Sequence, residues 1–423
     1  MLADAHLEEP RALVRVALRY GLSSLGPVAV SAAHFAASLM FLRALAPAQF
    51  GLLSFLLVVV PFCLSASGAL LGAPVSTAIR RAATIGPSEL ATYLKTNLLL
   101  AALAAFAVFA LLAMSGAATG LSLLLAAYAG VMTLRWFARC LTYATHGPAR
   151  PIASDLVYSL LLMAGLSALF ASQRLTLQSG AETLALSALC ALAVFGAGYL
   201  RRQVWPGAAG SLWRYGAIWR ELTRWSLLGV VLTEMTANAH AYLVTFLSGP
   251  QAFAVLAVGS LLMRPASLVL AALPDLERPV MARRLAAGDP AGALRSVKEF
   301  RTATGAIWLL TVLLAGALLM WFPQLILKKG YDESQIVMVV AISAVIWAVR
   351  TLRMPESVFL QAAGEFRALA GASLWSSLTS IAATLGLLLL AGPVFSLIGI
   401  LAGDLVMTAR IFSLTRDWKL RHA

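Results

Sequence analysis

Charge is what this sequence is short of. Asp, Glu, Lys and Arg make up 12% of its 423 residues, about half of what a water-soluble domain carries. So few charges cannot cover a water-facing globule of this length, which excludes a soluble enzyme or binding module and leaves lipid as the solvent. Acidic residues are scarcest, 18 against 32 basic ones. Cysteine is nearly absent: Cys63, Cys140 and Cys190 lie far apart in apolar stretches, without the spacing of a zinc site or a reason to pair. They read as small buried hydrophobes. No Gly-x4-Gly-Lys-Ser/Thr loop occurs, which argues against an ATP-driven pump. There is no metal-ligand cluster, no nucleophile–base pair and no segment able to fold as a separate soluble domain, so the expectation is a non-enzyme without cofactors.

What the chain does have is long apolar runs. Crossing the hydrocarbon takes about 20 apolar residues per helix. Twelve such stretches occur, at 20–42, 49–73, 95–115, 119–141, 153–171, 182–200, 225–247, 252–273, 303–327, 336–354, 368–391 and 394–414. They are rich in Leu, Ala and Gly and lack period-two alternation, which predicts an all-α polytopic membrane protein and excludes a β-barrel. The first 19 residues carry Glu8, Glu9, Arg11, Arg15 and Arg19 with no apolar core, so the first span is expected to be its own insertion signal. Trp225 and Trp321 sit at span ends, where aromatic belts form.

The basic residues are unevenly placed. Arg43, Arg174, Lys328 and Lys329 fall in loops after odd-numbered spans, and Arg264 lies inside span 8. The rest of the 32 are in the termini, in loops after even-numbered spans or in the adjoining helix ends. This bias puts both termini on the cytoplasmic side of a bacterial inner membrane. It also accounts for the basic balance with no nucleic-acid partner.

The sequence repeats itself at an offset of 203 residues. Ser23-x-x-Gly26 recurs as Ser226-x-x-Gly229, Pro47-x-x-Phe50 as Pro250-x-x-Phe253, and Arg80-Arg81 with Pro87 and Lys95 as Arg283-Arg284 with Pro290 and Lys298. Gly147-x-x-Arg150 matches Gly364-x-x-Arg367 at 217, with an extension around 328–335 accounting for the slip. The chain therefore divides into an N-terminal six-helix bundle (1–200), a basic cytoplasmic linker (201–224) and a C-terminal six-helix bundle (225–423). Two parallel six-span repeats around a central cavity are a transporter architecture.

The stretch Arg43-Ala-Leu-Ala-Pro-Ala-Gln-Phe-Gly-Leu-Leu-Ser-Phe55 resembles the loop and second helix of Wzx-type polysaccharide flippases. These belong to the multidrug/oligosaccharidyl-lipid/polysaccharide (MOP) exporter superfamily. Arg43, Pro47, Phe50 and Gly51 match the family pattern, while Ala46 replaces its usual Gly and Gln49 its common Glu. Arg264-Pro265 through Pro274 and Gly288-Asp289 resemble the family's eighth span and following loop. The resemblance implies a carrier that flips a lipid-linked (polyprenyl pyrophosphate) oligosaccharide to the outer leaflet, for polysaccharide, O-antigen or exopolysaccharide synthesis. It also implies membrane lipids and a polysaccharide polymerase complex as partners. Drug exporters share the architecture, so a cation-coupled multidrug or metabolite exporter stands as the alternative. A membrane enzyme acting on lipid-linked glycans is a more distant one, because such enzymes place chemistry on a sizeable outer loop that this chain lacks.

Ionisable residues inside spans cost about 2.5–3.5 kcal/mol each on insertion scales and usually face a partner or a watery lumen. In span 7, Glu234, Asn238 and Thr245 share one face, within about 40°, with Ala241 leaving the stripe uncrowded. Thr236 and His240 are on a second face. In span 1, Ser24, Ser31, His34 and Ser38 share a face with Pro27. Spans 1 and 7 are repeat equivalents, so the two stripes are expected to oppose each other across the cavity. Glu234 reads either as a proton or Na+ site, or as a buried ion pair with Arg264. His34 and His240 are protonation switches or neutral hydrogen-bonding groups. Arg264, too deep to snorkel, is positioned to grip a phosphate. Arg350 and Arg353 either line the lumen or snorkel. Arg43 is a lumen or interface residue, and Asp404 a counter-charge pairing with an arginine.

Overall fold

The computed structural model describes residues 5–82, 85–204, 211–325 and 331–422. Among them are sixteen α-helices and no strand. Ten helices are long and apolar enough to cross a membrane. They are α1 (Ala5–Ala44, crossing from Leu25), α2–α3 (Pro47–Ser67 and Ala73–Ala82), α4 (Pro87–Met114), α5 (Thr119–His146), α6 (Ala149–Ala171), α10 (Arg224–Ser248), α13 (Pro290–Trp321), α14 (Glu333–Ala362), α15 (Phe366–Ala391) and α16 (Ser396–His422). The chain is a multi-pass membrane protein. Large apolar side chains such as Phe106, Leu314 and Leu390 remain exposed on helix faces, as a lipid solvent demands.

The sixth and eighth expected spans are helical but broken. Span 6 is α7 (Leu177–Ala193) followed by α8 (Ala197–Val204), bent by 106°. The break contains Gly196 at φ 90°, a conformation that costs glycine little. Span 8 is α11 (Pro250–Leu262), a gap at Met263, and α12 (Arg264–Ala286). Pro265 near the start of α12 has no N–H to donate back across the gap, so the helix must restart there. α2 and α3 are joined by a π-helical turn, Gly68–Gly72. Its Leu70 carbonyl accepts a 2.6 Å hydrogen bond from the hydroxyl of Tyr215 in α9 (Leu212–Ile218).

The sequence repeat coincides with helix boundaries. α2 and α11 begin at Pro47 and Pro250, and α4 and α13 at Pro87 and Pro290. Gly147 and Gly364 follow α5 and α14 at φ 86° and 83°. Caps set other starts: Thr176 forms a capping box with Ser179 before α7, and Asp332 accepts from the Ser334 N–H at 2.9 Å before α14. Those Ser334 hydrogen bonds hold the Asp332 carboxyl below the usual carboxylate range.

Packing divides the chain into two compact units. The first is Met1–Met40 with Cys63–Leu227, and the second is Phe41–Phe62 with Leu228–Ala423. The division differs from the one by repeat in that Phe41–Phe62 packs with the second unit. There Gly51 lies against the Pro250 carbonyl with no room for a side chain. Phe55 stands edge-on to Tyr242, Phe246 and Phe253, with ring centroids 5.5, 5.7 and 6.3 Å away. The first unit has a core around Leu71, Val75, Tyr93 and Phe137. The second has one around Met281, Phe300, Phe359 and Trp418.

Candidate functional site

In the second unit, α15 and α16 pack closely through small residues. A Cβ on Gly403 would come 2.6 Å from that of Ser380 and 2.8 Å from the Ser376 carbonyl oxygen. The Ser376 hydroxyl donates to the Gly403 carbonyl at 2.8 Å. Close approach of this kind is how helices associate in lipid, where apolar burial gives no drive between them. It fixes the next residue, Asp404, which is fully buried. Its two oxygens accept from Arg350 Nε at 2.8 Å and Arg353 Nη2 at 2.7 Å, both on α14. The Arg350 guanidinium also lies 5.3 Å over the Trp347 ring.

These three residues line a cavity of about 520 Å³ inside the unit, with Arg278 of α12 and hydroxyls or amides from Thr233, Ser357 and Gln361. Among the described lining residues the charged groups are Arg278, Arg350, Arg353 and Asp404. Arg350, Arg353 and Asp404 were each singled out in the sequence, and the fold brings them together. Thr236 hydrogen-bonds Ser377, holding α10 to α15 beside the same cavity.

Glu234 and Asn238 also meet. Asn238 Nδ2 donates to Glu234 Oε2 at 3.1 Å, and the Tyr242 hydroxyl donates to Oε1 at 2.9 Å. The polar stripe on α10 thus runs 234, 238, 242 at one-turn intervals. Further along the same face Ala241 and Thr245 are buried, at 0% and 2% exposure. Tyr242 was missed because its ring reads as apolar in a hydrophobic run. His240 is buried beside Phe253, with no hydrogen-bond partner for Nδ1 among the described residues. Arg264 does not sit inside a continuous helix but is the half-buried first residue of α12, at the break Pro265 imposes. Arg43 is exposed in the last turn of α1 and lines neither cavity described for this chain. Lys328 and Lys329 lie outside the described residues.

The first unit holds a second buried ion cluster, which the sequence reading passed over. Asp155 of α6 is gripped by Arg135 and by Arg139 Nη2, the latter at 2.8 Å, both on α5. Arg135 Nε donates to the Ser154 hydroxyl at 3.0 Å. Gly26 of α1 abuts the carboxylate, where a Cβ would come 3.0 Å from that of Asp155. Beside it runs a hydroxyl chain: Tyr128 and Tyr158 hydroxyls are 3.0 Å apart, and Tyr158 is 3.0 Å from His34 Nε2, on which it stacks. His34 is therefore held within this unit, with half-buried Ser31 one turn earlier and Ser38 donating to the His34 carbonyl at 2.7 Å. A span ending at 141 places Arg135 and Arg139 in its last two turns, as helix-end charges. The helix continues to His146, and Gly147 was the signal for that later end.

The two clusters share one element, although their aspartates stand on non-equivalent helices, α6 and α16. One aspartate binds two arginines one turn apart, on α5 and on its repeat equivalent α14. Among the described residues no three of His, Cys, Asp or Glu gather to hold a metal ion.

No protein-family model and no curated protein matches the chain. Solved structures do. A multidrug resistance MATE family transporter of the MOP superfamily, in an inward-facing conformation, superposes with a TM-score of 0.67 at 15% identity, covering 95% of each chain. The lipid II flippase MurJ, in an inward closed conformation, gives a TM-score of 0.69 at 10% identity over 93% of this chain and 87% of that one. A MOP superfamily transporter from Pyrococcus furiosus, described as having a binding pocket of reverse polarity, gives 0.57 at 14% identity over 96% and 94%. At these identities the likeness establishes a shared MOP-type fold.

Proposed function

We propose that the chain is a MOP-type carrier that moves a lipid-linked oligosaccharide across the inner membrane by alternating access. The observation that carries this reading is the cavity lined by the Arg350–Asp404–Arg353 cluster, with Arg278 also in its lining. A sugar–pyrophosphate headgroup cannot enter hydrocarbon unaided, since charge and hydroxyls would be buried unpaired. Guanidinium groups answer phosphate oxygens with paired hydrogen bonds, and the Thr, Ser and Gln groups answer sugar hydroxyls. About 520 Å³ lies within the range of small-ligand pockets, so the cavity suits the pyrophosphate and adjoining sugar while the polyprenyl tail stays in the bilayer. The shared fold with a lipid II flippase supports the same reading.

Glu234, cradled by Asn238 and Tyr242, is the group we assign to coupling by H+ or Na+. The cytoplasmic termini and a polymerase partner belong to the same proposal. The acidic Glu234 site, with the likeness to a multidrug resistance transporter, also favours a second reading, a cation-coupled multidrug or small-metabolite exporter.

Reconstitution separates the two. Vesicles carrying the protein should move a fluorescent polyprenyl-pyrophosphate sugar between leaflets, and R350Q/D404N/R353Q, which leaves no member of the cluster as an unpaired charge, should lower that rate by at least tenfold at an unchanged protein level. Organic-cation uptake without lipid-sugar movement would decide for the exporter.

A further inference from the structure

The first unit contains another cavity, of about 580 Å³, at the end where α3, α4, α5, α6 and α8 come together. Its lining has two parts. Ile85, Leu90, Leu141 and Phe195 form an apolar part, and Arg150, Arg202 and His146 form a cationic part with no carboxylate among the lining residues. Arg150 and Arg202 are exposed, and neither is in an ion pair or hydrogen bond among the described residues. This is the end of the unit that the distribution of basic residues assigns to the cytoplasmic surface.

The cavity owes its form to α8. That helix leaves α7 at 106°, so with α7 crossing the membrane α8 runs near its plane. Gln203, 1% exposed, anchors it: Asn97 Nδ2 and the Tyr199 hydroxyl donate to Gln203 Oε1, each at 3.0 Å, and Gln203 Nε2 donates to the Leu94 carbonyl at 3.1 Å. Arg202 is therefore held at the rim on a fixed helix. A helix lying in the interface that presents Arg202 at the rim of the cavity suits an anionic headgroup.

We propose that this cavity is a binding site for an anionic phospholipid of the inner leaflet. The phosphate sits between Arg150, Arg202 and His146, and the first part of the acyl chains lies against Leu90 and Phe195. A bare phosphate would leave the apolar half unfilled, which is why a lipid is the ligand. The site is separate from the arginine cavity of the second unit and does not depend on what that cavity carries.

The test titrates the detergent-purified full chain with phosphatidylglycerol and reads the dissociation constant by native mass spectrometry. A basic residue near a lipid surface is worth about fivefold in affinity, so R150Q/R202Q should weaken binding roughly 30-fold. R150K/R202K should retain most of it, and R201Q, which alters the neighbouring exposed arginine outside the cavity, should leave it unchanged. Phosphatidylethanolamine should bind more weakly than phosphatidylglycerol. The proposal falls if R150Q/R202Q binds as the parent does, if R201Q loses as much, or if the zwitterionic lipid binds equally. It also falls if millimolar inorganic phosphate displaces the lipid, because the ligand would then be a soluble phosphate.

Discussion

Replacing Asp404 by Asn removes one negative charge from between two guanidinium groups and changes almost nothing in shape. Asp404 is wholly buried, and the Arg350 and Arg353 side chains are only 19% and 18% exposed. Asn can accept through its carbonyl from one arginine, but its NH2 then faces the N–H groups of the other, donor against donor. Removing one partner of a buried ion pair costs about 3–5 kcal/mol, because the surviving charge stays buried. Here the arginines keep some access to the cavity, so we expect a loss near the lower end, about 3 kcal/mol. The penalty comes from uncompensated charge rather than from lost attraction. The triple variant R350Q/D404N/R353Q should therefore regain most of the stability, ending within about 1 kcal/mol of the parent. Activity should follow the opposite order. D404N leaves every cavity arginine in place and keeps its hold on an anionic headgroup, whereas the triple variant is stable and inactive. Equilibrium unfolding in mixed detergent–SDS micelles gives the stabilities, and the vesicle assay gives the rates. The reasoning is refuted if D404N unfolds as the parent does, or if the triple variant is no more stable than D404N.

Gly403→Val inserts two methyl groups and a Cβ where Ser376 and Ser380 already stand. It should destabilise the second unit by about 1–3 kcal/mol, as overpacking does, measured in the same micelles; an unchanged unfolding free energy would show that α15 and α16 separate freely. Asp155→Asn should be destabilising in the first unit by about 3 kcal/mol or more, since Arg135 and Arg139 are both left facing one neutral amide; full stability would mean that another group compensates them. Glu234→Gln retains the Asn238 and Tyr242 neighbours but removes the titrating group, so transport should lose its dependence on pH or sodium. The same dependence in the variant would make Glu234 a structural residue.

The solvent and the element type were legible in the chain itself. Twelve apolar runs, sparse charge and the absence of alternation leave helices in lipid as the only arrangement that satisfies the backbone, and each run is helical over most of its described residues, the sixth and eighth with a break. The repeat was legible too, because it is carried by Pro47, Pro87, Pro250 and Pro290, whose missing N–H groups fix helix starts locally. Charged residues well inside a run, such as Glu234, Arg350 and Asp404, could be noticed for the same local reason: each is costly where it stands.

Which of these groups meet was beyond the sequence. Asp404 lies more than fifty residues from the arginines it binds, and its position depends on how closely Gly403 lets α16 approach α15. Arg135 and Arg139 read as helix-end charges in the sequence, yet the length of α5 puts them inside, and Arg264 reads as embedded, yet Pro265 breaks the helix before it. Composition and backbone chemistry are local and survive in any arrangement of the helices. Pairing, burial and cavity shape arise only between helices distant in the chain, so only the packed structure decided them.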